Sequence, residues 1–594
     1  MVHRASPAVS GYHVAGLQRR GAGRFEVDPP RQLNAKEHPV SHPLFERHHG
    51  VLEGARKAVR ERGYWSAYPE APSGKIYGET AKDDGLAAFK ARLNKPFNLD
   101  QPGSKGTVGE EVSPYGMKLG VTYPKADLDV LLPAAQAGMA KWRDAGVDAR
   151  VGVCLEILAR LNKQSFQLAN AVMHTTGQGF MMAFQAGGPH AQDRGLEAVV
   201  YAYEEMSRTP SESTWKKQVG KEEFVTLKKK YRVIPRGVGV VIGCSTFPTW
   251  NGYPGIFASL ATGNAVVVKP HPGAILPLAI SVEIGRDVLK ESGFDPNLLT
   301  LVADSVSSPM TKELVIRPEV KIIDYTGSTQ FGDWIEKTAT QAIVYSEKAG
   351  VNSTIVDSVA DLKAFTGNLA FSLSLYSGQM CTTPQNIYIP KGGITVGGEK
   401  KSFDDVAKAI VGAVDWFLGD PKRAAEVLGA IQNEATAMRV DVAAGDGADV
   451  LRKSAPVTNE MFPEARMRSP VIMKVDASKK DVYMREMFGP IVYLIATDGT
   501  QQSIKLAAEC AKAHGAITCG IYSTDSGVLA SAENALMDAG VPVSCNLTGP
   551  IWVNQSAAFS DFHVSGCNPS GNATLCDGAF VSNRFRIVQS RVPA

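Results

Sequence analysis

Residues 237–244 read "GVGVVIGC", a short apolar run bounded by glycines. Two runs of the same texture follow, "NAVVVKP" at 264–270 and "VKIIDYTG" at 320–327. Between them, 275–290 places Ile280, Ile284 and Val288 on one helical face, and Gly293 supplies the stop signal. Strands without a polar face need cover on both sides, which a parallel sheet flanked by helices provides. The pattern recurs further on: "VNSTIVD" (351–357), a helical period over 403–418, "PIVYLIAT" (490–497), a helix near 502–513, and "AITCGIYS" (516–523). The spacing therefore predicts an α/β chain with two α/β domains. A length of 594 residues, too great for a single core, agrees with that division.

Upstream, helix-period positions occupy 44–62, 127–143 and 150–171, with a Gly/Pro-punctuated connector running to about 110. Residues 1–43 are rich in Pro, Gly and His and read as poorly ordered. Their first 25 residues hold four arginines and no acid, which suits a disordered tail or an organellar transit segment. Lys plus Arg (63) nearly balances Asp plus Glu (60), so no general attraction to nucleic acid or anionic lipid is expected. No apolar run approaches the roughly 18–20 residues of a membrane span. Eight cysteines without a CxxC pair argue against a disulfide framework and favour a reducing, cytoplasmic setting. Four of the eleven histidines fall within 38–49, at spacings that match no metal motif, and no metal site is expected. The lysine-rich stretch 216–233 alternates charge with β-formers and reads as a solvent-facing edge strand.

Chemistry concentrates at 377–384, "SGQMCTTP", just after the apolar run "LAFSLSLY". Cys381 is either a packed core cysteine or a nucleophile. A nucleophilic thiol needs a lowered pKa, a donor for the oxyanion it creates, and a group that finishes the reaction. No histidine lies near Cys381 in the sequence. Glu347, in "YSEKAG" 34 residues upstream, ends a strand-like segment; it is a surface acid or, if desolvated, a general base. "GVGVVIG" misses the GxGxxG spacing of the usual dinucleotide fingerprint. "YTGSTQFG" (325–332) instead puts small and hydroxyl residues between a strand and a helix, as a phosphate cradle or a simple cap.

Taken in order, "LATGNAVVVKP" (260–270), "DYTGSTQFG" (324–332), the E-x-x-G at 347–350, "GQMC" (378–381) and "REMFGP" (485–490) resemble the aldehyde dehydrogenase superfamily over roughly residues 110–550. The resemblance implies a cofactor-binding domain at 106–346 with an oligomerisation arm at 206–233. It also implies a catalytic domain at 347–545, an oligomerisation tail at 546–594 and a partly disordered N-terminal extension at 1–105. It implies that Cys381 attacks an aldehyde and that Glu347 activates the water that cleaves the resulting thioester. Lys269 would hold the adenosine ribose of NAD or NADP, Gly327 and Ser328 would lie beside the pyrophosphate, and Glu486 would bond the nicotinamide ribose with Phe488 packing nearby.

Two positions depart from the family pattern. Where an oxyanion-binding Asn is usual, "CSTFPTWNG" (244–252) has Thr246, with Asn251 as the alternative donor. Three residues after Lys269 stands Pro272 instead of an acid, so the 2′-phosphate of NADP meets no repelling carboxylate, and NADP is expected to be accepted. Within the superfamily, "CSTFPTWNGYPGIFASLATGN", "KPHPGAILPLAI" and the tail "DFHVSGCNPSGNATLCDGAFVSNRFRIVQSR" are most similar to PaaN-type phenylacetate-degradation proteins. That likeness implies a CoA-linked semialdehyde substrate and a homodimer or higher homo-oligomer; some proteins of that group carry a fused ring-opening domain, and none is expected here because the sequence ends at Ala594 just after the dehydrogenase-like tail. The alternatives are a CoA-acylating dehydrogenase and a catalytically silent scaffold of the same fold.

Overall fold

The computed structural model describes residues 42–348, 350–445, 447–563 and 577–594. The readings made for the tail before residue 42 and for "VSGCNPSGNATLC" (564–576) lie outside the described residues.

The three apolar runs that opened the sequence form Val238–Ile242, Ala265–Lys269 and Val320–Gly327. They join Leu299–Leu301 and Ile343–Lys348 in a five-stranded sheet whose neighbouring strands all run parallel. Its spatial order is Leu299–Leu301, Ala265–Lys269, Val238–Ile242, Val320–Gly327, Ile343–Lys348. The winding reverses between Val238–Ile242 and Val320–Gly327, and such a switch point opens a crevice at the carboxyl ends of the strands. Helices Pro248–Ala261 and Leu276–Glu291 pack on this sheet. The N-terminus of Leu276–Glu291 receives a buried carboxylate: Ile275 and Leu276 donate their N–H groups to Glu111 Oε1 at 2.6 and 3.0 Å.

A second sheet of seven strands runs Asp449–Arg452, Val471–Asp476, Ile491–Thr497, Pro384–Pro390, Asn352–Val356, Cys519–Tyr522, Val543–Cys545. All neighbours are parallel except the first pair. Its two faces carry separate apolar cores, and successive residues serve opposite ones: Ile355 faces Tyr388 and Tyr493, while Val356 faces Ile387 and Leu494.

The lysine-rich stretch is corrected by the third sheet. Phe224–Pro235 is its central strand, with Glu212–Gln218 on one side and the C-terminal Phe585–Pro593 on the other, both antiparallel. Its lysines alternate over a sheet that water reaches on both faces, so the pattern marks exposure and not an edge. The expected helix over 150–171 is also two helices, Gly146–Lys163 and Ser165–Thr176, because the chain turns at Gln164.

At the N-terminal side, helix Pro43–Glu61 begins at His42, whose Nδ1 accepts the Leu44 N–H at 3.3 Å. It packs against Gly146–Lys163 and Pro189–Ser207. Gly152 is what permits the close approach, since a Cβ there would lie 2.5 Å from the Phe45 nitrogen.

Candidate active site

Cys381 sits on a loop held in a conformation that costs energy. Tyr376 and Ser377 both adopt left-handed backbone angles (φ 52° and 49°), unusual for residues with a Cβ. Fixed side-chain bonds offset that strain. Tyr376 donates its hydroxyl to Thr176 O at 2.5 Å, Ser377 donates to Leu428 O at 3.0 Å, and buried Gln379 links Ala430 O (3.1 Å) to the Gln432 N–H (2.8 Å). Asn352 then fixes the far side, donating to Cys381 O at 2.7 Å while its own Oδ1 accepts the Ile517 and Thr518 N–H groups. Gly378 (φ 65°) packs so closely on Gly489 that a Cβ would lie 2.3 Å from its carbonyl oxygen. The "GQMC" and "REMFGP" loops therefore meet backbone to backbone.

Around the thiol, the structure brings together residues far apart in sequence. Glu347, on strand Ile343–Lys348, is buried, and its Oε2 accepts from Asn251 Nδ2 at 3.1 Å. His563 Nε2 lies 3.3 Å from Glu347 Oε1 and 3.3 Å from Cys381 Sγ. The sulfur, the imidazole nitrogen and the carboxylate fall within 4.8 Å of one another. Burial pushes the Cys381 thiol well above its ordinary pKa, and the neighbouring Glu347 and Cys244 add to the effect. Such a shift favours the thiol form, so using this cysteine as a nucleophile would require a base to take its proton.

Thr246 follows strand Val238–Ile242; its carbonyl accepts from Gln178 Nε2 at 2.8 Å, and its hydroxyl faces Cys244 Sγ at 3.9 Å. The Asn251 amide is engaged by Glu347 and by Cys244, whose Sγ donates to Oδ1 at 3.5 Å. Asn251 is thereby placed as the group that orients Glu347. Sequence reasoning missed His563 and Cys244. "DFHVSG" did offer a lone histidine in the tail, but nothing in its spacing tied it to Cys381.

Of the residues expected at the cofactor, Lys269, Gly327 and Ser328 lie at the carboxyl ends of strands of the first sheet, whereas Glu486 and Phe488 lie on a loop after the seven-stranded sheet's strand Val471–Asp476. Gly327 ends strand Val320–Gly327, and Ser328 caps the ten-residue helix Thr329–Thr338, its Oγ accepting the Phe331 N–H at 3.4 Å. Lys269 ends strand Ala265–Lys269, on the far side of Val238–Ile242, and is buried in an ion pair with Asp304 at 2.8 Å. Burial pushes the Lys269 ammonium below its ordinary pKa. A ribose hydroxyl at this position would share that lysine with Asp304. Gln385 clamps the loop bearing Glu486 and Phe488, taking the Met487 N–H on Oε1 (2.6 Å) and donating to Arg485 O (2.9 Å). Arg439 donates to Phe488 O at 2.5 Å. Burial raises the Glu486 carboxyl to about 7, with Arg439 opposing. A switch-point crevice with a helix N-terminus beside it suits the phosphates of a nicotinamide dinucleotide.

On the other side of Cys381 lies a cavity of about 420 Å³ walled by Trp65, Phe247, Trp250, Phe371 and Trp552. Its rim includes Tyr64, Ser66 and Glu70 from the N-terminal segment. Ser66 donates to Asp193 Oδ2 at 2.5 Å, Ala67 N–H to Asp193 Oδ1 at 3.1 Å, and Glu70 pairs with His190 at 2.7 Å. The segment 64–70 is thus clipped onto helix Pro189–Ser207 and forms part of the cavity wall.

Comparison with known proteins agrees with this geometry. The aldehyde dehydrogenase family model matches residues 107–575. A crystal structure of an NAD-dependent aldehyde dehydrogenase from Burkholderia multivorans is 55% identical, with a TM-score of 0.92, covering 93% of this chain and 100% of that one. Benzaldehyde dehydrogenase [NAD(+)] of Pseudomonas putida is 24% identical, over 80% of this chain and 91% of its own length. N-succinylglutamate 5-semialdehyde dehydrogenase of Paraburkholderia xenovorans is 25% identical, over 69% of this chain and 79% of its own length. With its thiol, its buried glutamate and its two α/β sheets in place, the chain belongs to the aldehyde dehydrogenase family.

Proposed function

We propose that this enzyme oxidises an aldehyde to a carboxylic acid through a thioester on Cys381, with NAD or NADP as hydride acceptor. The observation that carries the reading is the cluster in which Cys381 Sγ and the buried Glu347 carboxylate lie within 4.8 Å. Cys381 adds to the aldehyde carbon and the carbonyl oxygen becomes an alkoxide, to which we assign Thr246 as donor from the loop between strand and helix. A bound nicotinamide would supply the hydride acceptor for the adduct. Lys269, Gly327, Ser328, Glu486 and Phe488 would hold it. Asn251 aims Glu347 at a water, and removal of its proton lets oxygen displace the Cys381 thiolate.

For the aldehyde itself, the sequence likeness to PaaN-type proteins supports a CoA-linked semialdehyde from aromatic-ring cleavage, its reactive end in the 420 Å³ cavity. The aromatic wall of that cavity favours a second reading, a free aromatic aldehyde, in line with the benzaldehyde dehydrogenases among the relatives. The antiparallel arm supports a homodimer or higher homo-oligomer. Among the described residues no helix is long and apolar enough to cross a membrane, and we place the enzyme in the cytoplasm on its cysteine usage.

The test is reduced-nicotinamide formation with both aldehyde classes, with NAD and NADP, and with and without free CoA. Turnover is expected without CoA and is expected to vanish in Cys381→Ala. An acyl-CoA product formed only with CoA would replace the hydrolytic reading by an acylating one. Failure of any aldehyde to form a thioester at Cys381 would leave a scaffold.

A further inference from the structure

We propose that His563 is a catalytic residue that takes the proton of Cys381. The inference rests on Cys381 being the nucleophile. His563 lies 182 residues after Cys381 and 216 after Glu347, and its side chain is 1% exposed. A single nitrogen, Nε2, faces both partners at 3.3 Å. An imidazole nitrogen offers either one lone pair or one N–H, so this geometry defines two states. In the first, the Nε2 lone pair accepts the Cys381 S–H. In the second, Nε2–H stands between the thiolate and Glu347 Oε1 and donates to both.

The step joining them balances internally. The S–H bond breaks, its electron pair stays on sulfur, and the proton bonds to Nε2. The summed charge of the three groups does not change, because an imidazolium forms as the thiolate does. Without His563, the thiolate would face the Glu347 carboxylate across a buried pocket, two like charges that disfavour each other. The same contact accounts for how a thiol pushed above its ordinary pKa can be used near neutral pH. Trp250 fixes the imidazole plane, edge-on at 5.1 Å between centroids and 77° between planes. The titratable and charged groups facing this cluster are Glu347, Cys381 and Cys244 within it. Among the described residues, Arg194, Asp193, His190, Glu70, Glu426 and Tyr64 stand on one cavity wall, and Asp561 on the adjoining one.

The test uses a reaction that needs neither aldehyde nor cofactor: iodoacetamide alkylation of Cys381, followed peptide by peptide across a pH series in wild type, His563→Gln and His563→Ala. Replacement is expected to slow alkylation at neutral pH by roughly 10²-fold, within the range typical of lost acid–base assistance, and to move the midpoint of the pH profile upward. Added imidazole is expected to restore part of the rate in His563→Ala, which also decides the matter if the glutamine variant fails to fold. An unchanged pH profile in a folded variant, or no rescue by imidazole, overturns the proposal. A His563-dependent alkylation in an enzyme that oxidises no aldehyde would sink the functional reading and leave this one standing.

Discussion

Single residues set the chemistry, and Glu486 gives the clearest pH signature. Its carboxyl is raised to about 7 by burial, so it is largely neutral below that pH and ionised above it. An ionised carboxylate accepts ribose hydroxyls more strongly than a neutral one. The KM for the nicotinamide cofactor is therefore expected to fall as pH rises through about 7. Glu486→Gln should flatten that dependence and raise KM about tenfold, the scale of one lost charge-assisted hydrogen bond. Steady-state titrations of cofactor from pH 6 to 9 check this. Cys381, Glu347 and Glu486 were legible in the sequence because each sits in a short local motif and the motifs come in a fixed order. His563 was not, since a contact spanning 182 residues leaves no periodicity. Cys244 was hidden for a related reason: its role depends on Asn251 and Phe247 folding back over it, with the Phe247 N–H 3.3 Å from its sulfur.

Among the elements, buried parallel strands announced themselves, whereas of the exposed sheet only the lysine-rich 216–233 could be read as a strand, and its place in the sheet could not. "GVGVVIG", "AVVVK" and "PIVYLIA" are apolar on successive residues because helices cover both faces, and each became a strand close to where it was read. The arm offers no such signal, and "FRIVQSRVP" looks like any polar tail until it pairs with residues 227–235. Its exposed apolar side chains include Trp215, Phe224, Val225, Val588 and Val592. A solvent-swept sheet bearing that many apolar groups is suited to cover by a second copy. Trp215→Glu combined with Val588→Glu should shift the enzyme toward monomer in light scattering with little loss of Tm. An unchanged molar mass would remove the arm from the assembly.

At the scale of the whole molecule, the two sheets and their order along the chain could be read in advance, whereas the closures that tie distant segments together could not. The segment around Tyr64–Glu70 reads as a mere connector, yet it walls the substrate side of Cys381 through bonds to Asp193 and His190. The C-terminal segment does more. Arg584, fully buried, donates to Asp324 Oδ1 at 2.6 Å and to Oδ2 at 2.8 Å, and to Ser259 Oγ at 2.8 Å. Arg584→Met leaves Asp324 buried without its cation and should cost roughly 3–5 kcal/mol in urea unfolding. Asp324→Leu made in the same background should recover much of that loss, because burying two apolar groups is less costly than burying one lone charge. A double variant no more stable than the single would refute this account of the pair. The pairing also sets a timetable for synthesis. Asp324 leaves the ribosome 260 residues before the arginine that neutralises it. The first sheet, although complete in strands by residue 348, carries a buried carboxylate without its cation until Arg584 has been made.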